Sequence, residues 1–331
     1  MRYEEIVDPV NKVIDEYTMR LTVRQIYYRL ISPPFQLFAG SQQNYKSFDR
    51  LLTTARERED VEWEKIEDRA RQTIGGDFGY ENPDAFLNYQ ISRLKECSEH
   101  YTRRMWDDQP YYVEVWVEKD ALATLFSNSL QGFRVLTFPS RGYSSFTKIM
   151  EALTDNDRFP RYIKMGKPIL ILHYTDHDPS GLNMTEDINK RLYKRGYLVR
   201  ALRDSFTNEE LETIKGAYKG KEFMVRIQRY ALTYEQVQQF NLAPNPTKKA
   251  SQGRKWYIGQ FGDKCWELDA LPPDELQRII RGSVEGIIDA DAWNKTLKSI
   301  KEEQEKLKEK LGRLRIEFEE EGKSGDSTGE E

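Results

Sequence analysis

Two aspartates one residue apart, Asp176 and Asp178, end the run Ile169-Leu-Ile-Leu-His-Tyr-Thr175 and are followed at once by Pro179-Ser-Gly181. The apolar, β-branched run reads as a buried strand and the stretch after Pro179 as a helix. Asp178 suits a helix N-cap, and Pro179 suits the first helical position, where its missing N–H costs nothing. Strand, acidic loop and helix in that order put both carboxylates at the carboxyl end of a strand, where open α/β sheets bind ligands. Anions so close repel unless a cation lies between them, and Mg²⁺ is the cation suited to hard oxygen ligands. The same residues admit a plainer role, with Asp178 a cap only and Asp176 solvated. A third carboxylate raises the metal alternative. Tyr112-Val-Glu-Val-Trp-Val117 alternates like a strand and terminates at Glu118-Lys119. In a parallel sheet the carboxyl ends of strands share one edge, so Glu118 can meet Asp176 and Asp178 there.

A candidate nucleophile lies near the start of the chain. Thr22 suits the N-cap of a helix from Val23 to Ile31, with Val23, Ile26, Tyr27, Leu30 and Ile31 as its buried stripe. Tyr28 falls on the polar side, with Arg24 one turn before it. A phenol, with a pKa near 10, is a poor nucleophile unless a cation or base stabilises the phenolate. Arg24 can do that, or hold a phosphate oxygen; packing is the plainer role for the tyrosine.

The elements that must position these residues fall into a series. An amphipathic helix from about Glu4 to Met19 precedes the tyrosine helix. A third helix, from about Asn44 to Glu59, turns Tyr45, Phe48, Leu51, Leu52 and Ala55 inward and Lys46, Arg50, Arg56 and Arg58 outward. Val61-Glu-Trp-Glu-Lys-Ile66 then suggests a β-wing. Three helices and a wing describe a winged helix, whose third helix commonly lies in a DNA groove, with Lys46, Arg50 and Arg56 toward the phosphates. A small helical bundle with a solvated charged face is the alternative. A polar stretch with Gly75-Gly76, Gly79 and Asn82-Pro83 leads to a linker helix around 84–103. Beyond it, strands at 112–117, 134–138, 169–174 and 197–201 alternate with helices, which implies a mostly parallel sheet with right-handed crossovers.

A further strand and a capped helix follow between Glu222 and Phe240. The turn-rich segment from Leu242 to Tyr257 interleaves Lys248, Lys249, Arg254 and Lys255 with Trp256 and Tyr257, a pattern suited to phosphate contact and base stacking, or else a solvated loop. Cys265 to Leu271 reads as an edge strand with Glu267 and Asp269 on one face, either a further metal ligand or solvated. After Pro272-Pro273 comes a helix. Then Trp293, Leu297, Ile300, Gln304, Leu307, Leu311, Leu314 and Phe318 recur at steps of four and three, a heptad seam that calls for a partner helix from a second protomer or from the chain's own body. The expected organisation is 1–72 winged helix, 73–110 linker helix, 111–271 α/β domain with an extension, 272–321 C-terminal helices with a coiled-coil-like seam, and 322–331 a disordered tail.

A net charge of −4 over 331 residues rules out a general polycation, so a nucleic-acid partner must be met by local basic surface. Two cysteines, far apart and outside any CxxC or Cys/His grouping, suggest neither a disulfide scaffold nor a zinc site. With a charged N-terminus and no apolar run approaching the ~20 residues of a membrane span, no signal peptide and no membrane partner are expected. The expected location is cytoplasmic, or nucleoid-associated in a prokaryote.

Val117-Glu118-Lys119 together with Asp176-His-Asp178-Pro-Ser-Gly181 resembles a Toprim domain. Thr22-Val-Arg24-Gln-Ile-Tyr27-Tyr28 resembles the R-x-I-Y-Y helix of the A subunit of DNA topoisomerase VI and its meiotic double-strand-break relatives. The order, winged helix before Toprim, is also that family's, and the likeness covers residues 1–240 in outline. This resemblance implies that Tyr28 is the nucleophile, that Arg24 matches the family's arginine, and that Glu118 is a metal ligand or acid/base. It also implies that Asp176 and Asp178 bind Mg²⁺. The implied reaction is transesterification of DNA, leaving a 5′-phosphotyrosine and a free 3′-OH. In that family the tyrosine of one protomer works with the Toprim site of the other, so a homodimer is implied. No P-loop occurs here, so ATP-driven strand passage would need a separate ATPase B-type subunit, and the third domain departs from the family. Similar Toprim-plus-winged-helix proteins, the plasmid-defence and overcoming-lysogenisation nucleases, hydrolyse DNA with a metal-activated water. Hydrolysis at the same carboxylates is therefore the alternative, and a non-catalytic DNA-binding protein the second alternative.

Overall fold

A computed structural model describes residues 1–67, 79–139, 146–249, 251 and 253–325. The expected turns at Gly75-Gly76 and Ser140-Arg141-Gly142, and the last six residues of the expected tail, lie outside the described residues. The chain divides into two compact units, Met1–Gln72 with Pro110–Ile287, and Thr73–Gln109 with Ile288–Glu331.

The first unit opens with α1 (Val7–Asp15), which buries Val10, Val13 and Ile14. A two-residue strand, β1 (Leu21–Thr22), runs directly into α2 (Val23–Ile31). Thr22 caps α2 as its sequence suggested. The Thr22 hydroxyl accepts from the Gln25 amide and the Gln25 side chain accepts from the Thr22 amide, so two otherwise orphaned donors are satisfied reciprocally. Ser41 caps α3 (Gln42–Glu57), whose Phe48, Leu52 and Ala55 are buried. The wing expected at Val61–Ile66 takes another form. Trp63–Lys65 is a single 3₁₀ turn, and β2 (Ile66–Glu67) pairs in parallel with β1, which a hairpin cannot do. α4 (Pro83–His100) belongs to the second unit.

The core of the first unit is a four-stranded sheet in a helical setting. In chain order come β3 (Tyr112–Val117), α5 (Ala123–Ser129), β4 (Leu136–Pro139), α6 (Phe146–Thr154) and α7 (Phe159–Lys164). They are followed by β5 (Ile169–Tyr174), α8 (Pro179–Tyr193), α9 (Tyr197–Ser205), α10 (Asn208–Ala217) and β6 (Val225–Ala231). All four strands are parallel in the order β4-β3-β5-β6, with every residue of β3 and β5 buried. Fully buried central strands explain the nearly continuous apolar runs. The exception, Glu114, has no exposed surface and is fully engaged. Arg158 grips it through two nitrogens at 2.9 and 2.6 Å, and Tyr112 and Trp116 donate to it.

Tyr197–Ala201 is helical rather than the expected fourth strand. It buries Leu198 and Ala201, three apart, on one face of α9, and β6 is the fourth strand instead. Thr233 caps α11 (Tyr234–Gln239), and α12 (Arg254–Phe261) and α13 (Pro273–Glu285) complete the unit. Nor is Cys265–Leu271 an edge strand. Cys265 and Trp266 form single antiparallel bridges with Asn245 and His177, and a 3₁₀ turn, Leu268–Ala270, follows.

In the second unit α14 (Ala290–Gly325) packs along α4 and the 3₁₀ turn Met105–Asp108. Trp293 meets Trp106 edge to face, and Thr296 donates to Asp108 at 2.8 Å. Ile300 is buried as the seam requires, but Leu297 is 40% exposed and Thr296 is buried in its stead, so the seam is displaced by one residue at this position. The polar break at Gln304 has a partner: its amide donates to the carbonyls of Glu99 and Tyr101, at the C-terminal end of α4. Such carbonyls lack intrahelical donors. Among the described residues no helix is long and apolar enough to cross a membrane.

Candidate functional site

Going from β3 the chain passes outward to β4, then returns to β5 on the other side of β3, so the winding reverses between β3 and β5. Ligand sites of open α/β sheets lie at such a reversal, beyond the carboxyl ends of the strands. Glu118 follows β3 and Asp176 follows β5 by two residues, and the two meet there. The Asp176 amide donates to Glu118 Oε2 at 3.2 Å. Asp178 caps α8, accepting from the Gly181 amide at 2.6 Å. Gly181 is required sterically, because a Cβ there would come within 2.2 Å of the Asp176 carbonyl.

The acidic loop is braced from two sides. His177 exchanges backbone hydrogen bonds with Trp266, at 2.8 and 3.0 Å, and its Nδ1 lies 2.8 Å from the Tyr257 hydroxyl. From β6, Arg229 donates to the carbonyls of Asp176 and Leu232 and to the Thr175 hydroxyl. Burial pulls this guanidinium down to about 10 although Glu118, Asp178 and Asp176 favour its charge. Burial, and then the neighbouring Asp176, push the Glu118 carboxyl up to about 7. Asp176 is pushed up to about 6 by burial, with Glu267 and Asp269 adding to the rise and Lys119 opposing it.

Lys119 neutralises part of this charge. Its ammonium lies 3.1 Å from Asp176, 2.9 Å from Glu267 and 2.5 Å from Asp269, and these carboxylates keep it charged despite burial. Glu267 is shared: it also pairs with Arg24 of α2. Burial would raise the Glu267 carboxyl, but Lys119 and Arg24 outweigh that and hold it at about 2. Glu267 and Asp269, expected as a metal ligand or as solvated groups, are therefore occupied by Lys119.

Tyr28 is 3% exposed, not on a polar face, because the Leu268–Ala270 turn packs on α2. Asn245 donates its side-chain amide to the phenolic oxygen at 2.5 Å. Burial, followed by Glu267 and Asp269, raises the phenol far above its usual range, with Lys119 and Arg24 opposing. A cavity of about 210 Å³ is lined by Tyr28, Arg24, Asn245, Lys248, Asp176 and Asp178, among others.

Asp176, Asp178 and the tyrosine thus line one cavity, with Arg24 and Lys248 as its cations, and Glu118 is joined to it through the Asp176 amide. The remaining expected DNA contacts lie elsewhere. Lys46 and Arg50 are exposed on α3, Arg56 is half-buried and donates to Thr53, and Lys249 and Lys255 are exposed. Arg254 is turned toward Thr247 and Asp263. Lys119, Arg229 and Asn245 carried no periodic or motif signal beyond Lys119 standing next to Glu118.

A bound Mg²⁺ is compatible with the donors. Among the described residues no three His, Cys, Asp or Glu side chains close around one point as a ready-made metal cage. Mg²⁺ needs less, since it keeps several waters and takes one or two carboxylates plus substrate phosphate oxygens. Glu118 and Asp176 are hard oxygen donors whose proximity resists double ionisation, and a divalent cation relieves that repulsion. Comparison with known proteins finds no matching family model, no matching curated protein and no matching solved structure.

Proposed function

We propose that this chain is a Toprim-type protein with an N-terminal helical DNA-binding segment that cleaves DNA with Mg²⁺ by transesterification through Tyr28. One observation carries the reading: the Tyr28 phenol, two cationic side chains and the Asp176/Asp178 pair line a single cavity at the sheet's switch point. In this reaction the Tyr28 oxygen attacks a phosphodiester phosphorus and the 3′ oxygen leaves. Arg24 and Lys248 hold non-bridging phosphate oxygens, and Asn245 donates to the phenolic oxygen as negative charge develops on it. Glu118, Asp176 and Asp178 would hold Mg²⁺, which would supply charge stabilisation to the phosphate.

Denaturing the protein after incubation with DNA and Mg²⁺ should trap covalent protein–DNA adducts. Tyr28→Phe should abolish them. A second reading, hydrolysis at the same carboxylates, is favoured by the burial and raised pKa of Tyr28, which oppose phenolate formation. Under that reading cleavage survives Tyr28→Phe without any adduct and is lost in Glu118→Ala. DNA binding without cleavage under any divalent metal would leave a non-catalytic binding protein.

A further inference from the structure

We infer that Trp256 is a DNA wedge: its indole inserts between base pairs within about three steps of the acidic loop and unstacks the duplex there. This rests on the proposed DNA cleavage and adds how the duplex is engaged beside the cavity.

The indole is exposed yet held in place. Trp256 is 61% exposed, and among the described residues no large apolar side chain is more so. A single exposed aromatic is ordinary on a protein surface; this one is set apart by its footing. Its neighbour on α12, Tyr257, has no exposed surface, and the Tyr257 hydroxyl donates to the His177 carbonyl at 2.8 Å. Successive helix residues point about 100° apart, so the buried tyrosine fixes α12 to the acidic loop while the tryptophan is turned to solvent. The indole meets Phe261 edge to face with ring centroids 6.4 Å apart, and Phe261 in turn meets His177, between the two aspartates, at 4.7 Å. Those two steps place the indole no more than about 11 Å from the His177 ring. At ~3.4 Å per base step, the span is about three steps from a phosphate at the acidic loop.

Charge favours nucleic acid as the occupant. Lys255 immediately precedes the indole and is exposed, as is Lys249, and Lys248 is exposed where it lines the cavity. Cations on that course hold backbone phosphates and set register, which leaves the indole for the bases. An apolar side chain pushed into a step parts its stacking and bends the duplex, and an aromatic ring then stacks on the base it has freed. A ring already fixed by Tyr257 and Phe261 gives up little freedom on insertion.

The test uses the full-length chain, with Ca²⁺ in place of Mg²⁺ to keep cleavage slow during titration. Two duplexes of one sequence are compared, one fully paired and one with a single mismatch, where unstacking costs less. Each carries 2-aminopurine, whose fluorescence rises on unstacking. Wild-type protein should raise that signal and bind the mismatched duplex about 10-fold more tightly than the paired one. Trp256→Phe should keep both effects. Trp256→Ala should lose both at an unchanged unfolding midpoint, because the side chain is exposed. A wild type that binds both duplexes equally without a 2-aminopurine response would overturn the wedge. So would a Trp256→Ala chain that keeps the mismatch preference, or one weakened by removal of a surface contact only, with both responses intact. Wild-type protein that binds neither duplex overturns the DNA-cleaving reading as well, which keeps the two failures apart.

Discussion

The two halves of the site are held by different physics. Its acidic half is placed by topology: Glu118 and Asp176 stand where they do because β3 and β5 are adjacent parallel strands that end on the same edge. Its tyrosine half is placed by side chains that cross the sequence. Arg24 reaches a glutamate 243 residues away, and Tyr28 is held by an asparagine 217 residues away. The acidic half should therefore tolerate substitution structurally and fail chemically, whereas the tyrosine half should fail both ways.

Under the proposed transesterification the largest expected effects come from Glu118, Asp176 and Tyr28. Glu118→Gln and Asp176→Asn keep shape but remove charge, and should lower cleavage by about 10³-fold or more, as losing a principal electrostatic stabiliser does. Tyr28→Phe should remove covalent adducts entirely. Comparable thermal unfolding midpoints for Glu118→Gln and the wild type would support topological placement; a collapsed fold would contradict it.

Glu267 sharpens the contrast next, because it joins the halves. Glu267→Ala leaves Lys119 and Arg24 without their shared anion, and should destabilise the protein by roughly 2–4 kcal/mol, in the range for breaking a largely desolvated ion pair. Denaturant unfolding measures this. The pH dependence separates the halves again. Glu267, held at about 2 in the folded chain, stabilises above the ordinary glutamate range, and this contribution is lost as pH falls from about 4 toward 2. Glu118 and Asp176 act in the opposite sense. At about 7 and about 6 they bind protons more readily folded than unfolded, so the metal-free protein should gain stability as pH falls from about 7 to about 5. Unfolding midpoints across this range should thus peak near pH 5. Adding Mg²⁺ at pH 8 should raise the midpoint in the wild type and not in Glu118→Gln.

Asn245 tests the tyrosine half. Asn245→Ala removes the only side-chain donor to the Tyr28 oxygen among the described residues, and should slow adduct formation by about 10-fold, the worth of one neutral hydrogen bond. Asn245→Asp should be more harmful, because a carboxylate beside the phenol opposes its ionisation. If Asn245→Ala cleaves as fast as wild type by adduct kinetics, the tyrosine is not positioned by this contact.

The same contrast explains what was legible in the sequence. Strands β3 and β5, the Thr22 and Asp178 caps and the β6–α11 unit were readable because each leaves a local pattern: a buried apolar run, a capping residue at a helix start, a threonine before an amphipathic turn. Convergence of Glu118 with Asp176 followed from strand ends alone. Helical periodicity puts Tyr28 on a polar face because it registers one buried stripe, whereas α2 is covered on a second side by Leu268–Ala270. Tyr197–Ala201 read as a strand because Leu198, Val199 and Ala201 fit either period over so short a run. Asn245, within Pro244-Asn-Pro246, looks like any turn; its role exists only once Cys265 lies beside it.

The smallest expected effect concerns the surface lysines and arginines. Lys46 and Arg50 on α3 are exposed and lie outside the cavity, whereas Lys248 is also exposed yet lines it. If α3 tracks the duplex, Lys46→Ala and Arg50→Ala should each weaken DNA binding similarly for all sequences and reduce the slope of log affinity against log salt by about 1. Lys248→Ala should do the same to binding and, under the proposed reaction, also lower the rate of adduct formation at saturating DNA, because a cation lining the cavity would act on the reacting phosphate. Equal losses of binding and no difference in saturated rate would place Lys248 with the outer cations and leave Arg24 as the cationic side chain serving the tyrosine.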